Sequence, residues 1–143
     1  MCSSDLFSVN AGRVSPVVKG LLPTFHDHGA IVLPHSYANP QLAYDTFQLL
    51  EKGCGLAQLK EKLPQTDKYF SYRQYSIITA KGELWVHTGQ DAFEPYAGHL
   101  IDTSWAVSGN ALASERTVTD RKSTRLNSSH WCTSYDVFCL TQK

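Results

Sequence analysis

The two ends of this chain permit the same DNA in opposite orientations, which limits how much of it can encode an evolved fold. Cys2-Ser3-Ser4-Asp5-Leu6 fits the codons TGC TCT TCC GAT CT, and Asp120-Arg121-Lys122-Ser123 fits GAT CGG AAG AGC. The reverse complement of the second string, GCTCTTCCGATC, lies within the first. Thr124 to His130 fits ACA CGT CTG AAC TCC AGT CAC, the continuation of a common short-read library adapter. Trp131-Cys132 then occupies the adapter's index. Thr133 to Leu140 follows its far end, which usually reads Ile-Ser-Tyr-Ala-Val-Phe-Cys-Leu, with departures at Thr133 and Asp136. Residues 120–134 are crowded with Ser, Thr, Asn and Arg and lack an apolar period. The expected organisation is an adapter-like segment at 1–6, a partial domain at 7–119, and an adapter-like segment without order at 120–143.

Within the 143 residues, the insert Phe7–Thr119 carries 9 Lys+Arg and 10 Asp+Glu, a net charge of −1. Such balance argues against a nucleic-acid binder. No apolar run reaches the ~18 residues that suggest a transmembrane helix, and Met1–Phe7 is no secretory signal. The length suits one domain with a sizeable core. Cys54 is the insert's lone cysteine, so no internal disulfide is expected. Redox arithmetic leaves the compartment open, with the cytoplasm as the default.

Hydrophobic patterning places the elements. Phe7–Gly20 is short on periodicity; Val14, Val17, Val18 and Leu21-Leu22 suggest a loop or one helical turn packing on a sheet, and Pro23–His28 reads as a loop. Gly29 to Leu33 reads as a short buried strand that Pro34 stops. Asn39-Pro40 is a helix start, because Asn caps the free amides and Pro lacks the donor that would go unpaired there. That helix presents Leu42, Ala43, Thr46, Phe47, Leu49 and Leu50 and stops at Gly53. A second short helix carries Leu56, Leu59 and Leu63 and ends at Pro64. Arg73 to Val86 reads as a hairpin turning at Ala80-Lys81-Gly82. Tyr96 to His99 leads to a strand around Trp105-Ala106-Val107, which Gly109-Asn110 breaks. A helix is expected to begin within Ala111–Thr119. The expected fold is α+β, with helices on a mostly antiparallel sheet.

Few residue groups point to chemistry. His26 and His28 with His35 could ligate zinc, but no His-Glu-x-x-His helix or Cys pair supports them, and the preferred reading is no metal. Cys54, between Gly53 and Gly55, reads as an ordinary thiol. His87-Thr88-Gly89 and Gly98-His99 each place an imidazole beside a glycine near a strand end, where functional groups emerge from sheets. Asn110 could cap a helix or donate its amide to an oxyanion. The glycines form neither a dinucleotide fingerprint nor a phosphate loop, so no cofactor is expected.

Taken in order, Asn39-Pro40, the Leu-Leu helix ending at Gly53, Arg73-Gln74, Gly82, His87-Thr88-Gly89, Ala97-Gly98-His99 and Gly109-Asn110 resemble the family called domain of unknown function 1028. That family is placed with the N-terminal nucleophile hydrolases. The resemblance implies a fragment of a four-layer αββα sandwich and an amide hydrolase acting on a small substrate. In such enzymes a leading Ser, Thr or Cys attacks, and its own α-amine accepts the proton. On this reading the family's opening hairpin and downstream half are expected to be cut away, and Cys2 falls in the adapter-like stretch. No nucleophile is therefore carried over, and this chain is expected to be inactive. Asn110, as oxyanion donor, and His99, His87 and Arg73, as pocket or supporting residues, are the candidate site. The second reading is a non-catalytic metabolite-binding domain of the same fold. The expected partner is a small molecule, with no nucleic acid or membrane, and a homo-oligomer is compatible. Sequencing the source locus without library oligonucleotides is expected to give different codons on both sides of Phe7–Thr119. An in-frame genomic match to both ends would refute the adapter reading and return Cys2 to consideration.

Overall fold

The computed structural model describes residues 7–13, 24–25, 30–92, 95–119 and 136–142. Its elements are β1 (Phe7–Arg13), β2 (Thr24–Phe25), β3 (Ala30–His35), α1 (Pro40–Glu51), α2 (Leu56–Thr66), a 3-10 turn (Phe70–Tyr72), β4 (Gln74–Thr79), β5 (Leu84–Thr88), β6 (Tyr96–Ile101), β7 (Trp105–Leu112), α3 (Arg116–Thr119) and β8 (Asp136–Gln142). The strands form two sheets, ordered β2-β3-β4-β5 and β1-β8-β7-β6, with every pairing antiparallel. The fold is mixed and of α+β type.

The helices follow from their ends. Asn39 Oδ1 accepts from the Gln41 amide at 3.1 Å, and Pro40 opens α1. At the other end Gly53 has φ +79°; its amide reaches Leu50 O, and that of Cys54 reaches Leu49 O. This paired pattern satisfies carbonyls the helix cannot, and glycine adopts its left-handed turn without a Cβ penalty. Ser36 and Tyr37, at φ 53° and 50°, turn the chain from β3 into α1. Buried Ser36 holds that turn by donating its hydroxyl to Tyr72 O at 3.0 Å.

α1 and α2 lie on one face of the β2-β3-β4-β5 sheet. Leu42, Phe47, Leu59, Leu63, Tyr75, Ile77 and Trp85 form the core between them. The Tyr75 hydroxyl is hydrogen-bonded to Thr46, whose own hydroxyl reaches Leu42 O, so the polar tip of this buried ring is satisfied. The sheet's other face meets β6 and β7 of the second sheet. This explains why every residue of β4 is buried: one face meets helices and the other a sheet. Val107, Leu112 and Val118 form a smaller apolar cluster where α3 meets β6 and β7.

Several boundaries differ from expectation. Pro34 does not stop β3, which continues to His35; among the described residues β2 pairs only with Ile31 and Val32, and a residue lacking N–H costs least where a strand side carries no ladder bond. α2 passes Pro64 and reaches Thr66. Proline in the last turn forfeits one bond, while Gln65 and Thr66 side chains bond the carbonyls of Glu61 and Leu63. Tyr96–Ile101 is itself a strand. Gly109-Asn110 does not break β7, because inter-sheet hydrogen bonds occupy both residues. Phe7–Arg13, short on periodicity, is a strand, and Thr24–Phe25 is a strand rather than a loop; Val14, Val17, Val18 and Leu21-Leu22 lie outside the described residues. Asp136–Gln142, expected to lack order, is a strand between β1 and β7.

Leu63 is fully buried while Lys60 is exposed. Leu63→Ala is expected to lower the unfolding free energy by about 2–5 kcal/mol. Lys60→Ala is expected to change it by less than about 0.5 kcal/mol. Urea titration followed by tryptophan fluorescence measures both.

Candidate functional site

Gln74 begins β4 and is fully buried, facing the second sheet. Its Nε2 lies 3.0 Å from Gly98 O, 2.9 Å from Gly109 O and 3.0 Å from Thr88 Oγ1. Its Oε1 accepts from Asn110 Nδ2 at 3.1 Å. Gly98 and Gly109 are cross-strand partners in β6 and β7. One side chain of the first sheet therefore ties two strands of the second. Ser76 and Ser108, 3.2 Å apart, repeat the link farther along.

Thr88 carries the network outward, its Oγ1 lying 2.8 Å from His99 Nδ1. His99 is exposed and lines an open cleft of ≈ 500 Å³ with Thr88, Gly89, Gln90, Tyr96 and Gly98 among its walls. Two glycines shape this edge. A Cβ on Gly89 would sit 1.9 Å from Ser71 O, so only glycine lets β5's exit pass the 3-10 turn. A Cβ on Gly98 would meet the Tyr96 ring, which folds over that residue.

The electrostatics favour neutral groups. Partial burial of the His99 ring, with His87 nearby, holds its pKa below the usual imidazole range. Burial and the Glu115 carboxylate push the Tyr96 phenol up, so it stays protonated.

The predicted site residues divide between two places. Asn110 and His99 belong to one network, with Asn110 buried between the sheets and His99 at the cleft. His87 lies against Phe70, stacked at 4.2 Å, with its Nε2 3.1 Å from Phe70 O. Burial lowers its pKa, partly opposed by that carbonyl. Arg73 Nε donates to Asp67 Oδ2 at 2.9 Å. Asp67 also accepts from Asn39 Nδ2 at 3.0 Å and from the Tyr69 amide at 2.9 Å. Burial raises the Asp67 pKa, but bonds from Arg73, Asn39 and Tyr69, with Arg73's charge, outweigh it and hold the carboxyl below its ordinary value. His26 and His28 lie outside the described residues, as does the side chain of His35. Among the described residues no metal-binding cluster occurs, and no helix is long and apolar enough to cross a membrane.

Sequence reasoning assigned no role to Gln74 or Thr88. The available signal was a glutamine in a Tyr/Ile-rich strand on the face away from the helices, where a carboxamide must find buried partners.

The model of the Family of unknown function (DUF1028) matches residues 5–130. The chain belongs to this family. No curated protein and no solved structure matches the chain. In this DUF1028 member, Thr88 and Gly89 of the His-Thr-Gly motif and the Gly98-His99 pair line one cleft, while His87 turns away to Phe70.

A histidine with a depressed folded pKa leaves the unfolded chain holding more protons around the ordinary value of 6.5. Stability is thus full above that range and falls as pH drops through it. The Asp67 contribution is present above its ordinary 3.8 and is lost as pH falls through its lower folded value. Melting temperatures are expected to fall between about pH 7.5 and 5.5, and less steeply in His87→Gln.

Proposed function

We propose that the chain is part of an N-terminal nucleophile amide hydrolase domain acting on a small substrate. The observation that carries this reading is the layer order. Helices α1 and α2, two face-packed antiparallel sheets, and α3 follow one another across the molecule, in keeping with an αββα sandwich. The cleft at the exit of β5 and the start of β6 has a size suited to a small molecule.

In such a domain a leading Ser, Thr or Cys attacks an amide carbonyl and its α-amine takes the proton. The proton then passes to the departing nitrogen, and water releases the acyl group. Donors aimed at the developing oxyanion lower that barrier. Asn110 has one amide hydrogen beyond its bond to Gln74, and His99 borders the cleft. On this reading Arg73 and His87 support the site from behind, through Asp67 and Phe70. Among the described residues no group is assigned as nucleophile.

A second reading, a metabolite-binding domain, draws on the relay from Asn110 to His99, which needs no nucleophile. Expressing the intact gene from source DNA and assaying a panel of small N-acyl amides separates the two. The hydrolase reading expects carboxylate release and a β-lactone adduct on the leading residue. Saturable binding with neither turnover nor adduct would sink it in favour of the binding domain.

A further inference from the structure

We propose that the buried Gln74–Thr88 pair fixes His99 in the tautomer protonated at Nε2, so that the cleft offers a neutral N–H donor to a ligand oxygen, an amide carbonyl or a carboxylate. This deepens the reading of the cleft as the ligand site, and it does not require hydrolysis.

The argument runs outward from the interior. Gly98 O and Gly109 O can only accept, so the side of the Gln74 carboxamide facing them must be its NH2 group. A flipped amide would set its oxygen against both carbonyls and turn its nitrogen toward the Asn110 donor. With the amide so fixed, the two hydrogens of Nε2 are shared among Gly98 O, Gly109 O and Thr88 Oγ1 at 3.0 Å, and the nitrogen offers Thr88 no lone pair. Thr88 must turn a lone pair toward it and direct its own hydrogen elsewhere. His99 Nδ1, 2.8 Å away, is the acceptor in reach. An imidazole that accepts at Nδ1 and is neutral carries its proton on Nε2.

Protonating Nδ1 as well would face one hydrogen with another. Burial and the neighbouring His87 also disfavour the cation. Nε2 lies on the ring edge away from Thr88, and among the described residues nothing is bonded to it. The protonated Tyr96 phenol lines the same cleft. The His99 N–H favours ligands that bring oxygen acceptors, which the phenol can also bond, and offers nothing to ammonium groups, which bring only donors.

The full chain labelled with 15N-histidine tests this. Long-range 1H–15N correlation is expected to show an unprotonated Nδ1 and a protonated Nε2 for His99. A Nδ1–H or averaged ring would overturn the proposal, and the unsubstituted protein decides this even if a variant fails to fold. Thr88→Val is expected to average the tautomers, and Thr88→Ser to restore the bias. Sodium acetate and acetamide are then titrated against methylammonium chloride at matched ionic strength. The oxygen probes are expected to shift the Nε2–H resonance, and Thr88→Val to weaken them about 5-fold, roughly one hydrogen bond. No response to either oxygen probe, or an equal response to methylammonium, would reject the ligand class. A fixed tautomer without amide turnover supports this assignment and removes only hydrolysis. Turnover with an averaged ring does the reverse.

Discussion

Gln74 is a fully buried carboxamide between two sheets, where each unpaired polar group would cost about 1–3 kcal/mol. Its partners are two backbone carbonyls, a hydroxyl and another carboxamide, drawn from β5, β6 and β7. They meet it only if the sheets sit in one register. The carbonyls belong to Gly98 and Gly109, paired across β6 and β7. Glycines suit this place because strands without side chains can bring their backbones close to a facing side chain. The Ser76–Ser108 contact continues the polar seam along the same face. A satisfied buried network of this kind specifies arrangement more than it adds stability.

Stability resides mainly on the opposite face of β4. There Tyr75 and Ile77 meet Leu42, Phe47, Leu59 and Leu63, and the interactions are largely apolar. The two faces are joined at the start of the strand. Asp67 gathers the cap residue of α1, the amide of Tyr69 and the guanidinium of Arg73. Arg73 is the residue before Gln74, so the clasp that anchors the helices also sets where the carboxamide enters the inter-sheet seam. Asp67 and Arg73 thereby influence the cleft without lining it.

The sequence made legible what depends on local chemistry. Asn39-Pro40, Gly53 and Gly82 behave as read, because capping and positive φ are properties of a few adjacent residues. The hairpin of β4 and β5 was readable from its turn. Pro34, Pro64 and Gly109 read locally as stops and are not, because whether proline or glycine ends an element depends on neighbours the sequence does not display. A missing N–H matters little in a final turn, as at Pro64, or where no ladder bond is required of it. At the site, the glycine-flanked histidines were noticed for their positions. Their grouping was not readable: Thr88 turns toward His99 while His87 turns toward Phe70, and that choice is fixed by strand register. Gln74 is visible as part of the Arg73-Gln74 signal, but its role is not, because it depends on residues 24 to 36 positions away.

β8 bears on the site in a limited way. It pairs with β7 opposite Ser108 and Asn110 and with β1 on its other side. The run Val137-Phe138-Cys139-Leu140 is strand-prone, and an open strand edge accepts such a segment through backbone groups alone. Its pairing therefore reflects the edge of β7 and carries no information on the origin of residues 120–143. The cleft is built from the other direction. The bonds of Gln74, Thr88 and His99 run among β4, β5, β6 and the β6-facing side of β7. The tautomer of His99 is set by that interior, so the donor the cleft presents does not depend on which segment occupies the far edge of β7.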